Sequence, residues 1–281
     1  MVRSNPHLFG SPLSVKKPVV IGIGGAHSGV GKTTVAAALL NYFTRVEHRA
    51  SSVQTSEEKS FPAGSRLLTS GFFKRWGAIK FTKTAFYSSV VDDPAVLSEE
   101  DKDTRKLLDA GAEEVLWVQA PVTELGETLP LAFERLSHLD GVLVEGNSAI
   151  EFLKPDIVIF IASISKEKVK ASAQRLLHRA DIVIIPSKHG AEKTAAPDWC
   201  EECLIFDAAD GAALERLIQR MEAIGTKKNI ETLLKEKSVD GRITCTIARG
   251  IAEELGVSYK EVGNAANELK IKIKNCELGC F

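Results

Sequence analysis

The sequence predicts an α/β fold in which helices cover both faces of a mostly parallel sheet, giving three layers. Two continuous apolar runs, at residues 155–161 and 180–186, are of the kind that parallel sheets bury on both faces. A segment with apolar residues at helical spacing, residues 166–179, lies between them. Near the N-terminus, a glycine-rich segment joins another apolar run to a second helical pattern. Strands that alternate with helices in this way are typical of α/β domains.

The glycine-rich segment spans residues 22–34 and reads Gly-Ile-Gly-Gly-Ala-His-Ser-Gly-Val-Gly-Lys-Thr-Thr. It follows an apolar run at 18–21 and precedes a helical pattern at 35–43. Strand, loop and helix in this order are the context of a phosphate-binding loop. Ala26 stands where glycine is commoner, but the two glycines before it leave the backbone free to turn. This context disfavours the alternative of a glycine-rich turn that contains Gly-Lys-Thr without binding phosphate.

A loop of this kind holds phosphate with consecutive backbone N–H groups and with the dipole of the following helix. We expect Lys32 to reach the β- and γ-phosphates and to assist catalysis, and the Thr33 hydroxyl to bind Mg²⁺. Thr34 is expected to contact the α-phosphate. The predicted nucleotide-binding residues are Ser28, Gly29, Val30, Gly31, Lys32, Thr33 and Thr34.

Composition and charge narrow the functional classes. The chain has 281 residues, of which 44% are hydrophobic and 26% charged, as in ordinary globular proteins. Its net charge of −1 provides no global field to attract nucleic acid or an anionic membrane. No apolar stretch approaches the roughly 18 residues of a membrane span, and residues 1–17 lack the apolar core of a signal peptide. We therefore expect a cytoplasmic protein with a flexible leader at 1–17.

Residues 18–226 are predicted to form a P-loop NTPase domain. Its first helix should end near Arg45 and be followed by an irregular insertion at 47–75, where periodicity is lost. Further strands are predicted at 76–82, 115–118 and 203–207, and further helices at 102–112, 129–136 and 212–224. Residues 98–101 resemble a helix-capping signal, and Gly111 suits a helix C-cap.

A carboxylate ends the apolar run at residues 142–144. In a parallel sheet, the carboxyl end of this run would lie beside the phosphate loop, at the edge where ligands bind. Glu145 is therefore predicted to bind Mg²⁺ through a water molecule or to polarise a water molecule, and to take part in catalysis. The alternative is that Glu145 merely begins a surface loop.

Residues 238–281 differ in character from the rest and follow a connector that begins at Lys227. A helix, a tight turn, a second helix with Ser258 as its predicted N-cap and a short alternating segment resemble a helix-turn-helix unit. From residue 241 onward there are six Lys or Arg and five Glu, so the basic excess that DNA binding requires is missing. We expect a protein-interaction or lid role and no DNA partner.

The chain contains five cysteines, and this odd number argues against a disulfide framework. Cys200, Cys203, Cys276 and Cys280 form two pairs that could hold zinc or an iron–sulfur cluster if the C-terminal tail folded back. The alternative is that they are buried as small hydrophobic residues.

The order of these motifs resembles the molybdopterin-guanine dinucleotide biosynthesis protein B family over roughly residues 18–160. The matching segments are residues 25–34, 78–80, 102–104, 109–112 and 142–146. Their order and spacing extend the match beyond the phosphate loop, which very many NTPases share. The histidine-rich run that the family has after the strand lysine is replaced here by Phe-Thr-Lys-Thr at 81–84.

The resemblance implies a GTP-binding protein that uses Mg²⁺, hydrolyses GTP slowly and assists the attachment of a guanine nucleotide to molybdopterin. It also implies that Asp103, with Glu145, faces the metal and phosphates, which makes both candidate Mg²⁺ ligands and catalytic residues. A homodimer is implied as well. The implied partner is a molybdopterin guanylyltransferase or another maturation protein.

Two other functions remain open from the sequence. The first is an ATP-dependent ligase or kinase of the dethiobiotin-synthetase type, with a small acceptor near Lys80 and the 47–75 segment. The second is a nucleotide-switched maturation or regulatory protein that binds a partner through its C-terminal module. The chain has no Asn-Lys-x-Asp guanine motif, so the choice between GTP and ATP stays open.

Overall fold

The fold is known from a computed structural model, which describes residues 17–52, 75–163, 171–187, 200 and 202–275. The predicted leader up to residue 16, the segment 53–74 and the first part of the helix predicted at 166–179 lie outside these residues.

An eight-stranded sheet forms the centre of the described structure. Its strands are β1 (Val19–Gly25), β2 (Trp76–Lys83), β3 (Ser89–Val91), β4 (Glu114–Ala120), β5 (Gly141–Glu145), β6 (Ile157–Ile161), β7 (Ile182–Pro186) and β8 (Leu204–Phe206). Across the sheet the order is β3-β4-β2-β5-β1-β6-β7-β8. β3 runs antiparallel to β4, and every other neighbouring pair is parallel. The predicted α/β class and the mostly parallel sheet are thus confirmed.

Helices follow most of the strands. They are α1 (Lys32–Ser52), α2 (Pro94–Leu97), α3 (Asp103–Asp109), α4 (Leu125–Arg135), α5 (Asn147–Leu153), α6 (Ala171–Leu177) and α7 (Gly211–Lys237). A single 3₁₀ turn, Val122–Glu124, precedes α4.

Apolar side chains pack on both faces of the sheet. On one face, residues of α1, α3 and α7 pack against alternate strand positions, such as Ile21 and Ile23 of β1. On the other face, residues of α4, α5 and α6 pack against the intervening positions, such as Val20. Because both faces are covered, the central strands consist almost wholly of buried residues, which explains their continuous apolar sequence.

Several local predictions are confirmed. The strands predicted at 76–82, 115–118 and 203–207 correspond to β2, β4 and β8. Gly111 follows the last turn of α3 with φ 96°, in the left-handed region that a helix C-terminus uses. The apolar face predicted for α4 is buried at Leu129, Ala132 and Leu136.

The expected ends of α1 and α7 and the expected capping signal of α3 are wrong. α1 continues to Ser52 and therefore covers the first part of the predicted insertion, because neither glycine nor proline interrupts residues 45–52. The capping signal expected at 98–101 does not cap α3, whose N-cap is Lys102 without a side-chain hydrogen bond. Asp101 has φ 63°, so the chain turns there before the helix begins. α7 does not end near residue 224 but runs on to Lys237, so the connector expected at Lys227 is helical.

The described C-terminal residues form β9 (Arg242–Thr244), α8 (Cys245–Leu255), α9 (Tyr259–Glu268) and β10 (Lys272–Lys274). β9 and β10 pair in parallel. Gly256 ends α8 in a left-handed conformation, and Ser258 caps α9 through a capping box with Glu261. These elements share an apolar cluster with the second half of α7, where Ile230 and Leu234 are buried.

The length of α7 explains where these elements lie. Its 27 residues span about 40 Å, whereas the five to seven residues of a central strand span about 17–23 Å. α7 therefore crosses the sheet and extends past the amino ends of the strands. There, Lys228 donates a hydrogen bond to the carbonyl of Asp156 at 2.8 Å and pairs with Asp181 at 2.7 Å.

None of the helices in the described ranges is long and apolar enough to cross a membrane.

Candidate functional site

The glycine-rich segment connects β1 to α1 at the carboxyl edge of the sheet. The chain leaves β1 beside β6, where the N–H of Ala26 donates to the carbonyl of Ile161 at 2.9 Å. Gly29 and Gly31 have φ values of 77° and 101°, which residues with a Cβ rarely adopt. Between them, the side chain of Val30 is buried in the apolar core and anchors the loop to it. Two of the glycines predicted from the sequence thus meet a backbone requirement.

The first turn of α1 presents backbone donors and the Lys32 ammonium to the loop. The N–H of Val35 donates to the carbonyl of Gly31 at 3.1 Å, so the N–H groups of Thr33 and Thr34 precede the helical hydrogen-bond series. Lys32 Nζ donates to the carbonyl of His27 at 2.8 Å, which holds the ammonium across the concave side of the loop. This arrangement provides the N–H groups and positive charge that bind anions at helix N-termini.

Four side chains meet beside the loop: Thr33, Lys80, Asp103 and Glu145. The Thr33 hydroxyl donates to Glu145 Oε2 at 2.8 Å. Lys80 Nζ donates to Glu145 Oε1 at 2.5 Å and to Asp103 Oδ2 at 2.6 Å. The structure therefore brings together all three residues that were predicted as Mg²⁺ ligands, and adds a lysine to them.

The sheet topology explains why these residues meet. β5 lies between β1 and β2, and in the parallel register Glu145 is opposite Ile23 on one side and Lys80 on the other. Lys80 and Glu145 therefore lie side by side near the carboxyl ends of their strands. Thr33 comes from the helix that follows β1, and Asp103 from the first turn of α3.

Burial and charge differ between the two carboxylates. Glu145 is 3% exposed, whereas the Asp103 side chain is 41% exposed. Partial burial by itself raises the pKa of the Asp103 carboxyl. The hydrogen bond and charge from Lys80 and the charge of Lys106 outweigh this effect, so the pKa lies below its usual value of 3.8. Asp103 is therefore held in its ionised form.

The donor set fits a magnesium ion that is held jointly with a phosphorylated ligand. One hydroxyl and two carboxylates converge, and Mg²⁺ in proteins commonly uses one or two carboxylates together with waters and substrate phosphates. No group of three or more His, Cys, Asp or Glu residues suited to a metal ion occurs within the described ranges. Water and phosphate oxygens would have to complete the coordination of an ion at these three side chains.

Sequence reasoning did not identify two residues of this site. Asn147, the first residue of α5, accepts a hydrogen bond from the N–H of Gly25 at 2.9 Å and donates one to the carbonyl of Gly25 at 3.0 Å. Lys80 was considered only as a neighbour of a small acceptor, not as the partner of both carboxylates. The available signals were the position of Asn147 just after Glu145-Gly146 and a lysine inside an otherwise apolar strand.

The cysteine predictions have a mixed outcome. Cys200 and Cys203 are joined by a disulfide, with their Cα atoms 5.6 Å apart. The sequence argued against a disulfide framework and did not predict this single bond. A disulfide offers no thiolate to a metal. Cys276 and Cys280 lie outside the described residues, and Cys245 is buried at the start of α8.

The C-terminal elements lie at the opposite edge of the sheet from the glycine-rich loop. A groove there is lined by Val19 and Ile157, near the amino ends of β1 and β6, and by Glu254 and Leu255 of α8. The loop follows the other end of β1. In this arrangement α8 does not cover the loop, which argues against the lid role considered for this module.

No protein-family model matches the chain, and no curated protein matches it either.

Proposed function

We propose that the protein binds a nucleoside triphosphate with Mg²⁺ at the loop between β1 and α1, and that it hydrolyses the nucleotide slowly. The observation that carries this proposal is the hydrogen bond from Thr33 to Glu145, at 2.8 Å, beside a loop that contains two glycines with positive φ. It joins a hydroxyl at the start of α1 to a buried carboxylate at the end of the adjacent strand. That pairing suits an ion bridging a protein and a phosphate chain.

We also propose that the fold is that of a three-layer P-loop NTPase. The strand that precedes the loop lies inside the sheet, between β5 and β6, and helices pack on both faces. This supports a three-layer P-loop NTPase, in which the nucleotide binds at the carboxyl edge of the parallel strands.

Each side chain has a role in this proposal. The Lys32 ammonium would bind the β- and γ-phosphates, and the loop N–H groups of residues 28–34 would hold the phosphate oxygens. Thr33, Glu145 and Asp103 would hold Mg²⁺, which supplies charge neutralisation for phosphoryl transfer when bound. Asp103, as the more exposed carboxylate, would also orient a water molecule. Positioning and electrostatics supply most of the catalysis in such sites.

We further propose GTP as the nucleotide and molybdopterin guanine dinucleotide synthesis as the process. The support is the resemblance of residues 18–160 to that family, which implies that Asp103 and Glu145 face one site. A molybdopterin guanylyltransferase or another maturation protein would be the partner of a cytoplasmic homodimer. The C-terminal elements, with two helices joined by a tight turn in helix-turn-helix fashion, would serve protein interaction instead of DNA binding.

Calorimetric titration tests this function. We expect GTP to bind the full chain in the presence of Mg²⁺, and Lys32→Ala to lose this binding while its circular dichroism stays unchanged. Lys235→Ala, a change on the far part of α7, is the control and should bind like the parent. Unchanged GTP affinity in Lys32→Ala would contradict the site. Preference for ATP together with an organic acid would replace the GTP assignment by the ligase or kinase alternative.

A further inference from the structure

We infer that Lys80 is the built-in counter-cation of the carboxylate pair, so that a divalent metal binds this site strongly only together with the nucleotide. The inference rests on the proposed function, because it concerns the same metal site. It assigns to Lys80 a positioning and regulatory role that neither the motif nor the resemblance supplies.

The contacts of Lys80 are the first argument. Its Nζ lies 2.5 Å from Glu145 Oε1 and 2.6 Å from Asp103 Oδ2, so one ammonium bridges both carboxylates. The Lys80 side chain is 15% exposed and that of Glu145 only 4%, so solvent screens their interaction weakly. Lys80 and Glu145 also occupy paired positions of β2 and β5, which fixes their Cα atoms next to each other.

Competition for the same oxygens is the second argument. The Thr33 hydroxyl engages Oε2 of Glu145, while Lys80 engages Oε1 of Glu145 and Oδ2 of Asp103. A divalent ion that used these oxygens would compete with the ammonium for them, because both cations need contacts of about 2–3 Å. Metal binding would therefore require the Lys80 ammonium to give up contacts that it makes in this structure.

Charge balance is the third argument. Lys80, Asp103 and Glu145 carry one positive and two negative charges, so their net charge is −1. A triphosphate adds several negative charges at the mouth of the site and offers oxygens to which the displaced ammonium can turn. Metal and nucleotide should then strengthen each other's binding by the same factor, as linkage between two ligands requires.

A counter-cation and an ordinary structural ion pair predict different effects on metal affinity when Lys80 is neutralised. If Lys80 only stabilised the fold, neutralising it would lower stability and leave metal affinity unchanged or reduced. If Lys80 is the counter-cation, neutralising it changes the local charge from −1 to −2, frees Oε1 of Glu145 and Oδ2 of Asp103, and raises affinity for the metal alone.

The test uses Mn²⁺ alone as the probe, with the full chain and without nucleotide. Bound Mn²⁺ is counted from the loss of the free-ion signal in electron paramagnetic resonance. We expect weak binding to the parent and at least about tenfold tighter binding to Lys80→Met, because a positive charge leaves a poorly screened site. Lys80→Gln provides a second neutral variant if Lys80→Met does not fold, as judged by circular dichroism. Lys80→Arg keeps the charge and should stay weak.

Lys106 provides a matched control. Its Nζ lies 3.6 Å from the other oxygen of Asp103, and its side chain is 57% exposed. Lys106→Met removes one positive charge from the same neighbourhood without freeing Glu145, so it should change Mn²⁺ affinity less than about threefold. Equal gains in Mn²⁺ affinity in Lys80→Met and Lys106→Met would overturn the inference, since the loss of any nearby positive charge would then explain both.

A parallel titration with GTP present separates this inference from the proposed function. If calorimetry shows that Mn²⁺–GTP binds the parent tightly, and the Lys80 variants without GTP bind Mn²⁺ no better than the parent, the counter-cation role is overturned and the nucleotide site stands. If calorimetry shows that neither Mn²⁺–GTP nor Mn²⁺–ATP binds the parent, the proposed function fails. A gain that is confined to the Lys80→Met and Lys80→Gln variants in the absence of nucleotide supports the inference.

Discussion

Asn147 and Gly25 exchange two hydrogen bonds through the side-chain amide, at 2.9 Å to the N–H and 3.0 Å from the carbonyl. Gly25 is the last residue of β1, and Asn147 is the first residue of α5, two positions after Glu145. The amide thus fastens the beginning of the glycine-rich loop to the chain that carries the buried carboxylate. The side-chain amide of Asn147 therefore fixes the start of the glycine-rich loop relative to the strand end that carries Glu145.

Asn147→Ala should lower both stability and ligand affinity. Because it leaves two backbone groups of buried Gly25 without these partners, we expect the free energy of unfolding to fall by about 2 kcal/mol. Triphosphate affinity should also fall, since the loop is then less well positioned. Urea unfolding and calorimetry measure the two effects. Ser148→Ala, the adjacent change in α5, should behave like the parent, and an equal loss in both variants would show that the Gly25 contact is not the cause.

The lowered pKa of Asp103 predicts a specific dependence of stability on pH. Its carboxyl is harder to protonate in the folded chain than in the unfolded chain, where its pKa is near 3.8. Its contribution to stability is therefore complete above that value and is lost as the pH falls through the lower folded pKa. Between pH 5 and pH 3 the parent should lose more stability than Asp103→Asn.

Chemical unfolding of both proteins at a series of pH values measures this difference. Above pH 5 the gap between them should be constant. Asp109→Asn, an exposed position at the other end of α3, is the control and should follow the parent. A gap between parent and Asp103→Asn that stays constant down to pH 3 would contradict the assigned shift.

The sequence predicted the strand, loop and helix of the site because each has a strong local signal. Gly29 and Gly31 mark backbone that only glycine adopts easily, and the apolar run before Glu145 marks a buried strand. The position of Asp103 came from resemblance alone, since nothing local distinguishes it from the acidic residues before it. Local patterns and resemblance together therefore identified the two carboxylates of the site, Glu145 and Asp103.

The rest of the site depends on register and contacts between distant segments. Lys80 is 65 residues from Glu145, and its role becomes visible only when β2 and β5 are paired. The end of α7 was misplaced for a similar reason. Apolar residues that face the sheet end near Ile224, and the continuation to Lys237 is stabilised by packing against α8 and α9. Sequence periodicity around one face cannot show that a helix changes partners along its length.

Glu145→Gln should remove the metal-dependent part of nucleotide binding. Glutamine keeps the shape but not the negative charge, so Lys80 keeps only Asp103 as an ionised partner and Mg²⁺ loses a ligand. We expect the gain in nucleotide affinity on adding Mg²⁺ to disappear, and the unfolding free energy to fall by about 2 kcal/mol because a buried, hydrogen-bonded charge is lost.

Calorimetry with and without Mg²⁺ gives the readout for this variant. Glu114→Gln, a partly exposed change on β4 whose carboxylate pairs with His138, is the control and should retain the full metal effect. If Glu145→Gln retained the gain on adding Mg²⁺, Glu145 could not be a metal ligand.

Leu234→Ala tests whether the C-terminal elements act independently of the nucleotide site. Leu234, in the second half of α7, is fully buried against α8 and α9. The cavity that the substitution leaves should lower local stability by about 3 kcal/mol. The glycine-rich loop lies at the carboxyl edge of the sheet, whereas the C-terminal elements lie at the amino edge. Hydrogen exchange should therefore increase in residues 239–275 and remain unchanged in β1 and β5, with triphosphate affinity preserved. If affinity fell together with protection in β1, the two edges of the sheet would be energetically coupled through α7, and the C-terminal elements would have to be treated as part of the nucleotide site.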